Sequence, residues 1–330
     1  MSEGSVREEG GGWDNSDWAT LLRSIDAKEC TPFIGAGACH GVLKTGREIA
    51  RELVDDNLDD YGVFPFRDPE NLPKVAQWLA VEAASSRIPK QLVREKLLGR
   101  SPDFEDPGEP HRVLADLALP VYITTNYDSF MEDALRRSPD RTPHQVVCQW
   151  HRVNGRSRPS LSLGVTPSPQ TPVIFHMHGV LDDRDSMVLT EDDYVDFLIA
   201  ISEHHELIPP RIQDAFSSTA VLFMGYSLED MDFKVVFRKV TAFLKINQGL
   251  RHVSVQLAPR ATETMEEHKH RVMKQEKYLE KLLQLSNVKI YWGTCREFAR
   301  NLRERLDEHN RRKQARNAGS IAISNLEARG

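Results

Sequence analysis

The sequence predicts an α/β fold of the Rossmann-like type, with a parallel sheet of about six strands and helices on both faces. Two observations carry this prediction. Short, almost uninterrupted apolar runs alternate with helical patterns along most of the chain, which is typical of strands buried on both faces. A strand, a glycine turn and a capped helix also follow one another between residues 30 and 56. We expect one sheet, with a helical module inserted into it.

The first strand ends in the sequence CTPFIGAGACHG, residues 30–41. Gly35 and Gly37 turn the chain at a point where a side chain would keep the backbone away from a phosphate. Thr45 and Glu48 then have the spacing of a capping box, which predicts that a helix begins there. The third glycine, Gly41, falls one place too late for a dehydrogenase fingerprint. The pattern therefore predicts half of a nucleotide site, although plain glycine turns occur in many α/β proteins.

The remaining strands are recognised by their apolar runs and by the helical patterns between them. After the first, they are predicted at Val121–Thr125, Val173–Met177, Ala220–Gly225, His252–Ala258 and residues 288–292. Charged helices are expected at Glu263–Leu285 and Glu297–Asp307, the second of which closes the fold. Thr190, with Asp193 three residues on, is predicted to cap a further helix.

Four segments fall outside this regular alternation. Residues 1–15 are expected to be a flexible leader and residues 311–330 a tail, so that the domain spans residues 16–310. Residues 56–110 contain two predicted helices, Lys74–Ser85 and Pro89–Leu98, and form the inserted helical module. Residues 138–172 are rich in Pro, Arg and Ser, which predicts a long surface loop, with a hairpin around Val146–Trp150.

The composition is that of a globular chain with a sizeable core. Its 330 residues include 43 Lys plus Arg and 49 Asp plus Glu, giving a net charge of -6. This balance argues against direct binding of nucleic acid. No apolar run reaches the roughly 18 residues of a membrane span, and the polar start has no signal-peptide pattern. We therefore expect a cytoplasmic protein that does not bind a membrane.

The four cysteines include no C-x-x-C pair, which argues against a disulfide framework and against a zinc ribbon. They are Cys30, Cys39, Cys148 and Cys295. One other set, Cys148, His151, His176 and His178, resembles metal-ligand spacing, and strand alternation puts the two histidines on one face. Because Cys148 and His151 fall in the predicted surface loop, we expect no metal.

The unusual polar and glycine residues of the chain cluster at the ends of four predicted strands. These ends are Gly35–Gly37, Asn126–Asp128, His178–Gly179 and Gly225–Ser227. Each has an ordinary explanation on its own, such as a turn, a helix cap or a packed histidine. Ligands of open α/β sheets, however, bind at the carboxyl ends of strands. Four such ends together favour a shared pocket.

The same residues carry a resemblance to a known family. GAG at Gly35–Gly37, TTNYD at Thr124–Asp128, HMHG at His176–Gly179 and GYS at Gly225–Ser227 resemble, in order and spacing, the SIR2 (sirtuin-like) family. The similarity is greatest to bacterial SIR2-like domains that consume NAD as anti-phage defence effectors. It implies that NAD is the substrate and that the chain is a regulated NAD glycohydrolase releasing nicotinamide and ADP-ribose.

The resemblance also implies a role for each residue of the site. Asn126 and Asp128 would face the nicotinamide ribose, and His178 would act as the general base. The other residues would bind NAD, and they are Gly35, Ala36, Gly37, Thr125, Gly225 and Ser227. The chemistry agrees, because an amide can orient water or a ribose hydroxyl, and a histidine can accept a proton from either.

Two other functions are compatible with the same motifs. An NAD-dependent protein-lysine deacylase would need the paired cysteines of the family's zinc module, which this chain lacks, and acetyl release from a peptide would identify it. A non-catalytic module that binds NAD or ADP-ribose and assembles would leave NAD intact. For the hydrolase, which would otherwise empty its own cell of NAD, we expect a homo-oligomer restrained by assembly or by a sensor or ATPase partner.

Overall fold

The computed structural model describes residues 13–152, 164–226, 251–257 and 287–327, together with 273–274, 277–278 and 281. A single parallel sheet of seven strands lies at its centre, in the order β3-β4-β2-β1-β5-β6-β7. The strands are β1 (Cys30–Ile34), β2 (Val121–Thr124), β3 (His144–Val147), β4 (Val173–His176), β5 (Ala220–Met224), β6 (His252–Gln256) and β7 (Val288–Trp292). The predicted Rossmann-like fold is confirmed, with one strand more than the six expected.

Ten helices surround the sheet in the described part of the chain. They are α1 (Asn15–Asp26), α2 (Gly46–Asp56), α3 (Leu58–Tyr61), α4 (Leu72–Glu82), α5 (Arg87–Leu97), α6 (Pro110–Asp116), α7 (Phe130–Arg136), α8 (Glu191–Glu203), α9 (Pro210–Ser218) and α10 (Cys295–Glu327). None of these helices is long and apolar enough to cross a lipid bilayer.

The caps that the sequence indicates are formed. The hydroxyl of Thr45 accepts from the amide of Glu48 at 3.3 Å, and the carboxylate of Glu48 accepts from the amide of Thr45 at 2.7 Å. A reciprocal box of the same kind joins Thr190 and Asp193 at the start of α8. Each box satisfies amides that would otherwise be free in the first turn. The predicted beginnings of α2 and α8 are therefore confirmed.

Each face of the sheet carries its own apolar core. Tyr122 and Ile174 point to one face, where α1, α6, α7 and α10 pack, whereas Ile123 and Phe175 point to the other, under α8 and α9. Alternation along each strand explains this division. Burying one such side chain contributes about 1.5–3 kcal/mol, so both layers of helices are needed to cover the sheet.

The inserted module forms a third core and is tied to the main domain by a buried ion pair. Its helices α4 and α5 correspond to the two predicted helices, and they pack with α2 around Leu53, Val75 and Leu79. Lys90 of α5 donates to the carboxylate of Asp193 on α8 at 2.9 Å, and both side chains are buried. Removing one partner of such a pair would leave an uncompensated buried charge.

Two predicted elements differ from the structure, and one lies outside its described residues. The expected hairpin around Val146–Trp150 is wrong, because residues 144–147 form a parallel edge strand beside β4. The strand was not recognised in the sequence because it is short and polar residues flank it. The closing helix does not end at Asp307 but continues to Glu327. The helix predicted over Glu263–Leu285 falls almost wholly outside the described residues.

The strand order reverses between β1 and β5, and the two strands are joined there by their backbones. The amide of Gly35 donates to the carbonyl of Met224 at 2.8 Å, and that of Gly37 donates to the carbonyl of Gly225 at 2.9 Å. Gly225 has φ +83, and a Cβ there would lie 2.5 Å from the amide nitrogen of Ala38. Glycine is therefore required at residue 225 by both conformation and space.

We predict that Gly225→Ala destabilises the fold well beyond the usual cost of a positive φ. That conformation costs about 1–2 kcal/mol for an L residue, and overpacking costs about 1–3 kcal/mol more. Gly62→Ala is the matched control, because Gly62 has φ +77 with open space around its Cβ position. Urea unfolding should show a larger loss of unfolding free energy for Gly225→Ala. Equal losses would mean that the close contact is dispensable.

We also predict an acid sensitivity that depends on His252. Its Nδ1 accepts from the amide of Val221 at 3.0 Å, and burial lowers the pKa of His252 to about 4. The unfolded state, with a pKa near 6.5, binds more protons, so stability should fall as the pH drops from about 6.5 to 4. His252→Gln, which keeps an acceptor, should lessen that fall by about 2–3 kcal/mol.

Unfolding by urea at several pH values measures this effect. The exposed His40 supplies the control variant His40→Gln, which should lose stability with acid as much as the wild type does. If the His252→Gln curve runs parallel to the wild-type curve, the buried neutral imidazole is not the source of acid sensitivity.

Candidate functional site

The four predicted strand ends leave the sheet at one edge. Ile34 pairs with Thr124 on one side and with Met224 on the other, and Thr124 pairs in turn with His176. The residues two positions further along, including Asn126 and His178, therefore follow neighbouring strands at matched register. The edge includes the point where the strand order reverses, which is the usual ligand position in such sheets.

The glycine turn presents an exposed corner whose inner amides are already bonded. Ala36 and Gly37 are exposed, whereas Gly35 is buried. The amides of Gly35 and Gly37 donate to carbonyls at the end of β5, so the glycines serve close packing of two backbones. The nearby basic side chains also have partners, because Lys44 and Arg47 form ion pairs with glutamates at the surface.

Asn126 is buried beside this turn in a fixed orientation. Its side-chain nitrogen donates to the carbonyl of Gly35 at 3.2 Å and to the sulfur of Cys39 at 3.3 Å. The backbone amide of Asn126 donates to the hydroxyl of Thr124 at 2.9 Å. These contacts use the donor side of the carboxamide and leave its oxygen as an acceptor.

A cluster of polar groups that sequence reasoning did not identify lies against Asn126. The sulfur of Cys39 is 3.4 Å from a carboxylate oxygen of Asp128 and 3.9 Å from Nε2 of His111. The other ring nitrogen of His111 lies 2.8 Å from the carboxylate of Glu109. Cys39 follows the glycine turn, but His111 opens α6, and nothing in its spacing indicates that it reaches this site. Asp128 is the only predicted site residue in the cluster.

A buried ion pair supports the loop that carries Asn126. Nε2 of His176 lies 2.6 Å from a carboxylate oxygen of Glu132, and its Nδ1 lies 3.1 Å from the carbonyl of Asn126. Burial alone would lower the pKa of His176, but the hydrogen bond and charge of Glu132 outweigh burial and raise it. His176 is thus a packed neighbour of the site.

His178 lies near the same edge, but its ring turns toward the opposite face of the sheet. The ring makes edge contacts with Tyr194 and Phe197 of α8, with centroid distances of 5.6 and 5.0 Å. Its Nε2 is buried and has no hydrogen-bond partner among the described residues, and burial lowers the pKa of His178 to about 3. The expectation that His176 and His178 share a face is wrong, because β4 ends at His176 and alternation stops there.

The structure therefore brings some predicted residues together and separates others. Asn126 and Asp128 meet near Gly35, whereas the His178 ring packs toward α8. The loops that carry Asn126 and His178 are nevertheless joined, because the hydroxyl of Tyr127 donates to the carbonyl of Val188 at 2.6 Å. The amide of Val188 in turn donates to the carbonyl of His178 at 3.0 Å.

Thr125 and Gly225 belong to a small bonded patch on the β5 side of the site. The hydroxyl of Tyr226 donates to the carbonyl of Ile34 at 2.9 Å and is 2.9 Å from the hydroxyl of Thr125. Tyr226 is the middle residue of the GYS segment, and no separate role was predicted for it. Ser227, predicted to bind NAD, lies outside the described residues.

The metal-ligand set considered from the sequence does not converge. The sulfur of Cys148 is buried and faces the carbonyl of Leu207, so Cys148 does not lie in a surface loop. His176 contacts Glu132 and His178 contacts α8, as described above. Among the described residues, the group of three ligand types that does converge is Cys39, His111 and Asp128, whose ligand atoms lie within 4.8 Å of one another.

Comparison with known proteins finds a matching family model and several similar relatives. The family model of the SIR2-like domain matches residues 120–289. A curated relative, the NAD(+) hydrolase ThsA of Enterococcus faecium, is 24% identical over 226 residues, which cover 68% of this chain and 42% of the relative. The protein of the same name from Bacillus cereus (strain MSX-D12) is 24% identical over 306 residues, 92% of this chain and 59% of the relative.

The third relative, the NAD(+) hydrolase ThsA of Cytobacillus dafuensis, is 26% identical over 230 residues, which cover 68% of this chain and 40% of the relative. The chain thus spans only 40% to 59% of the length of these relatives. The family model covers the strands β2 to β6, with both the TTNYD and the HMHG segments. Since that match extends over more than half of the chain, the protein belongs to the SIR2-like domain family.

Proposed function

We propose that the protein hydrolyses NAD to nicotinamide and ADP-ribose at the edge of the sheet between β1, β2 and β4. The observation that carries this proposal is the fixed carboxamide of Asn126, held by the carbonyl of Gly35 and the sulfur of Cys39. A carboxamide whose donors are committed presents its oxygen in one direction, as a residue that positions water or a ribose hydroxyl requires.

The reaction breaks the bond between the nicotinamide nitrogen and C1 of its ribose. The nitrogen keeps the electron pair, the sugar becomes cationic, and a water oxygen bonds to C1 with release of one proton. The carboxylate of Asp128 would stabilise the positive charge that develops on the sugar. Asn126 would hold the attacking water or the ribose, and the loop beneath it is held in turn by the pair of His176 and Glu132.

His178 is proposed as the acceptor of the released proton. Its Nε2 is buried, and no group in the described part of the chain bonds to it. A substrate hydroxyl or water is the kind of group that would satisfy it. With a pKa of about 3, the free imidazole is neutral at physiological pH, in the form that accepts protons. The polar surroundings that come with a bound substrate would remove much of the burial penalty.

The proposal changes the role that the sequence suggested for the glycines. The amides of Gly35 and Gly37 donate to β5 carbonyls, so contact with the pyrophosphate would rely on the exposed corner at Ala36. Thr125 and Gly225, with Ser227, stay predicted contacts of NAD. The zinc module of protein deacylases would need paired cysteines, and the chain has none, so no observation favours deacylation.

The biological role follows from the reaction. A chain that destroys NAD without restraint would harm its own cell, so we propose that the activity is regulated, as in a defence effector that depletes NAD during phage infection. A homo-oligomer and a sensor or ATPase partner stay predictions. The relatives are longer than this chain, and their activity is extended to it here as a proposal.

We predict that Asn126→Ala and His178→Ala each lower NAD hydrolysis at least 100-fold while the fold is kept. Each removes a group that acts on the water or the proton, and losses of about 10²–10⁴ are usual for such groups. Chromatography of nicotinamide and ADP-ribose measures turnover, and circular dichroism measures folding. Asn57→Ala is a matched control, because Asn57 is also a buried asparagine but lies between α2 and α3, outside the proposed site. This variant should keep its NAD hydrolysis.

Three results would contradict the proposal. NAD that survives long incubation with an activated wild-type protein would favour a binding module, and acetyl release from a peptide would favour a deacylase. Hydrolysis by His178→Ala at the wild-type rate would show that His178 takes no part in the mechanism. The role of Asn126 would still be tested by Asn126→Ala.

A further inference from the structure

A second feature of the site is the group formed by Cys39, His111 and Asp128. Their ligand atoms lie within 4.8 Å of one another, with the sulfur 3.4 Å from the carboxylate and 3.9 Å from the imidazole. In a tetrahedral zinc site with bonds of about 2.0–2.3 Å, neighbouring ligand atoms are roughly 3.3–3.7 Å apart. Small side-chain rotations would therefore bring these three atoms around one ion.

The imidazole of His111 is oriented for this purpose by a second carboxylate. Its Nδ1 lies 2.8 Å from Glu109, which also accepts from the backbone amide of Arg112, so the carboxylate is fixed. With the proton on Nδ1, the lone pair of Nε2 faces the sulfur of Cys39. A carboxylate behind a ligating histidine is the usual support of a metal site, because it fixes both tautomer and ring orientation.

The charges of the group also favour a cation. The sulfur of Cys39 lies 3.4 Å from a carboxylate oxygen of Asp128. A divalent cation bound between them would compensate the charge of this carboxylate and that of the thiolate, which forms when the thiol releases its proton to solvent on binding. The sulfur, nitrogen and oxygen donors together match the preferences of Zn²⁺.

We propose that Cys39, His111 and Asp128 form a zinc-binding site with Glu109 as the support of His111. Three protein ligands leave a fourth position open. Asn126, whose side-chain nitrogen is 3.3 Å from the sulfur, lies at the border of this site. The ion would thus bind inside the proposed catalytic site and share Asp128 with it.

The consequence for activity rests on the proposed function. The sugar becomes cationic as its bond to nicotinamide breaks, and a dication held on Asp128 would repel that charge instead of stabilising it. It would also draw the thiolate of Cys39 away from Asn126. Bound zinc is therefore inhibitory, and the same cluster serves as a metal-dependent brake on the hydrolase.

Binding is tested first, without reference to turnover. Metal-free full-length protein is titrated with Co²⁺, and the near-ultraviolet charge-transfer band of a cobalt thiolate is recorded, followed by competition with Zn²⁺. We expect one ion per chain, a band that Zn²⁺ abolishes, and at least tenfold weaker binding by Cys39→Ser and by His111→Ala. Cys148→Ala is the control, since Cys148 is a buried cysteine outside the cluster, and its titration should match the wild type.

The spectrum of the wild-type protein decides the matter even if a variant fails to fold, because the band requires a cysteine ligand. Absence of the band at micromolar metal would overturn the site. So would a band that persists unchanged in a folded Cys39→Ser variant, or one that is lost in Cys148→Ala instead.

The inhibitory role is tested separately by comparing each protein with itself. NAD hydrolysis by the wild type should fall at least tenfold when one equivalent of Zn²⁺ is added and should return with EDTA. The ratio of rates with and without Zn²⁺ should approach one in Cys39→Ser, whatever its basal rate. Full NAD hydrolysis with Zn²⁺ bound at the site would contradict the proposed inhibition. Cobalt binding without any hydrolysis would leave the metal site standing and refute the proposed function.

Discussion

The structure depends on the close approach of two backbones where β1 and β5 separate. Hydrogen bonds from Gly35 to Met224 and from Gly37 to Gly225 close the gap that a doubly wound sheet otherwise opens at this point. Side chains larger than hydrogen would push the strands apart. This constraint keeps the glycine turn next to Asn126. The position of the site beside β2 therefore depends on the backbone contact with the end of β5.

A buried polar pair lies behind the site. His176 and Glu132 are fully buried and bond to each other, and the second carboxylate oxygen of Glu132 has no partner among the residues that the structure describes. Desolvating such groups is costly, and an apolar pair of similar volume would serve stability at least as well. Their value lies in direction, because the imidazole meets the carbonyl of Asn126 and so limits the positions that this loop can take.

Local signals in the sequence were sufficient for six of the seven strands and for the edge at which polar residues meet. The capping boxes at Thr45 and Thr190, and the apolar runs of β1, β2, β4 and β5, each have a short-range cause that can be read directly.

The turn of His178 toward α8 could not be predicted in this way, because side-chain alternation does not continue beyond the last paired residue. His111 and Glu109 were missed for a related reason. Their proximity to Cys39 arises from the packing of α6 against the turn, which no spacing along the chain encodes. The edge strand β3 was missed because only one partner holds it.

The ion pair between Lys90 and Asp193 has a mechanical consequence. Lys90 belongs to the inserted helices, and Asp193 belongs to α8, the same helix that supplies Tyr194 and Phe197 to the ring of His178. Neither charge can be exposed to an apolar interior alone without a large penalty. A displacement of the inserted helices that kept this pair intact would therefore also displace α8, and with it the two rings that contact the imidazole.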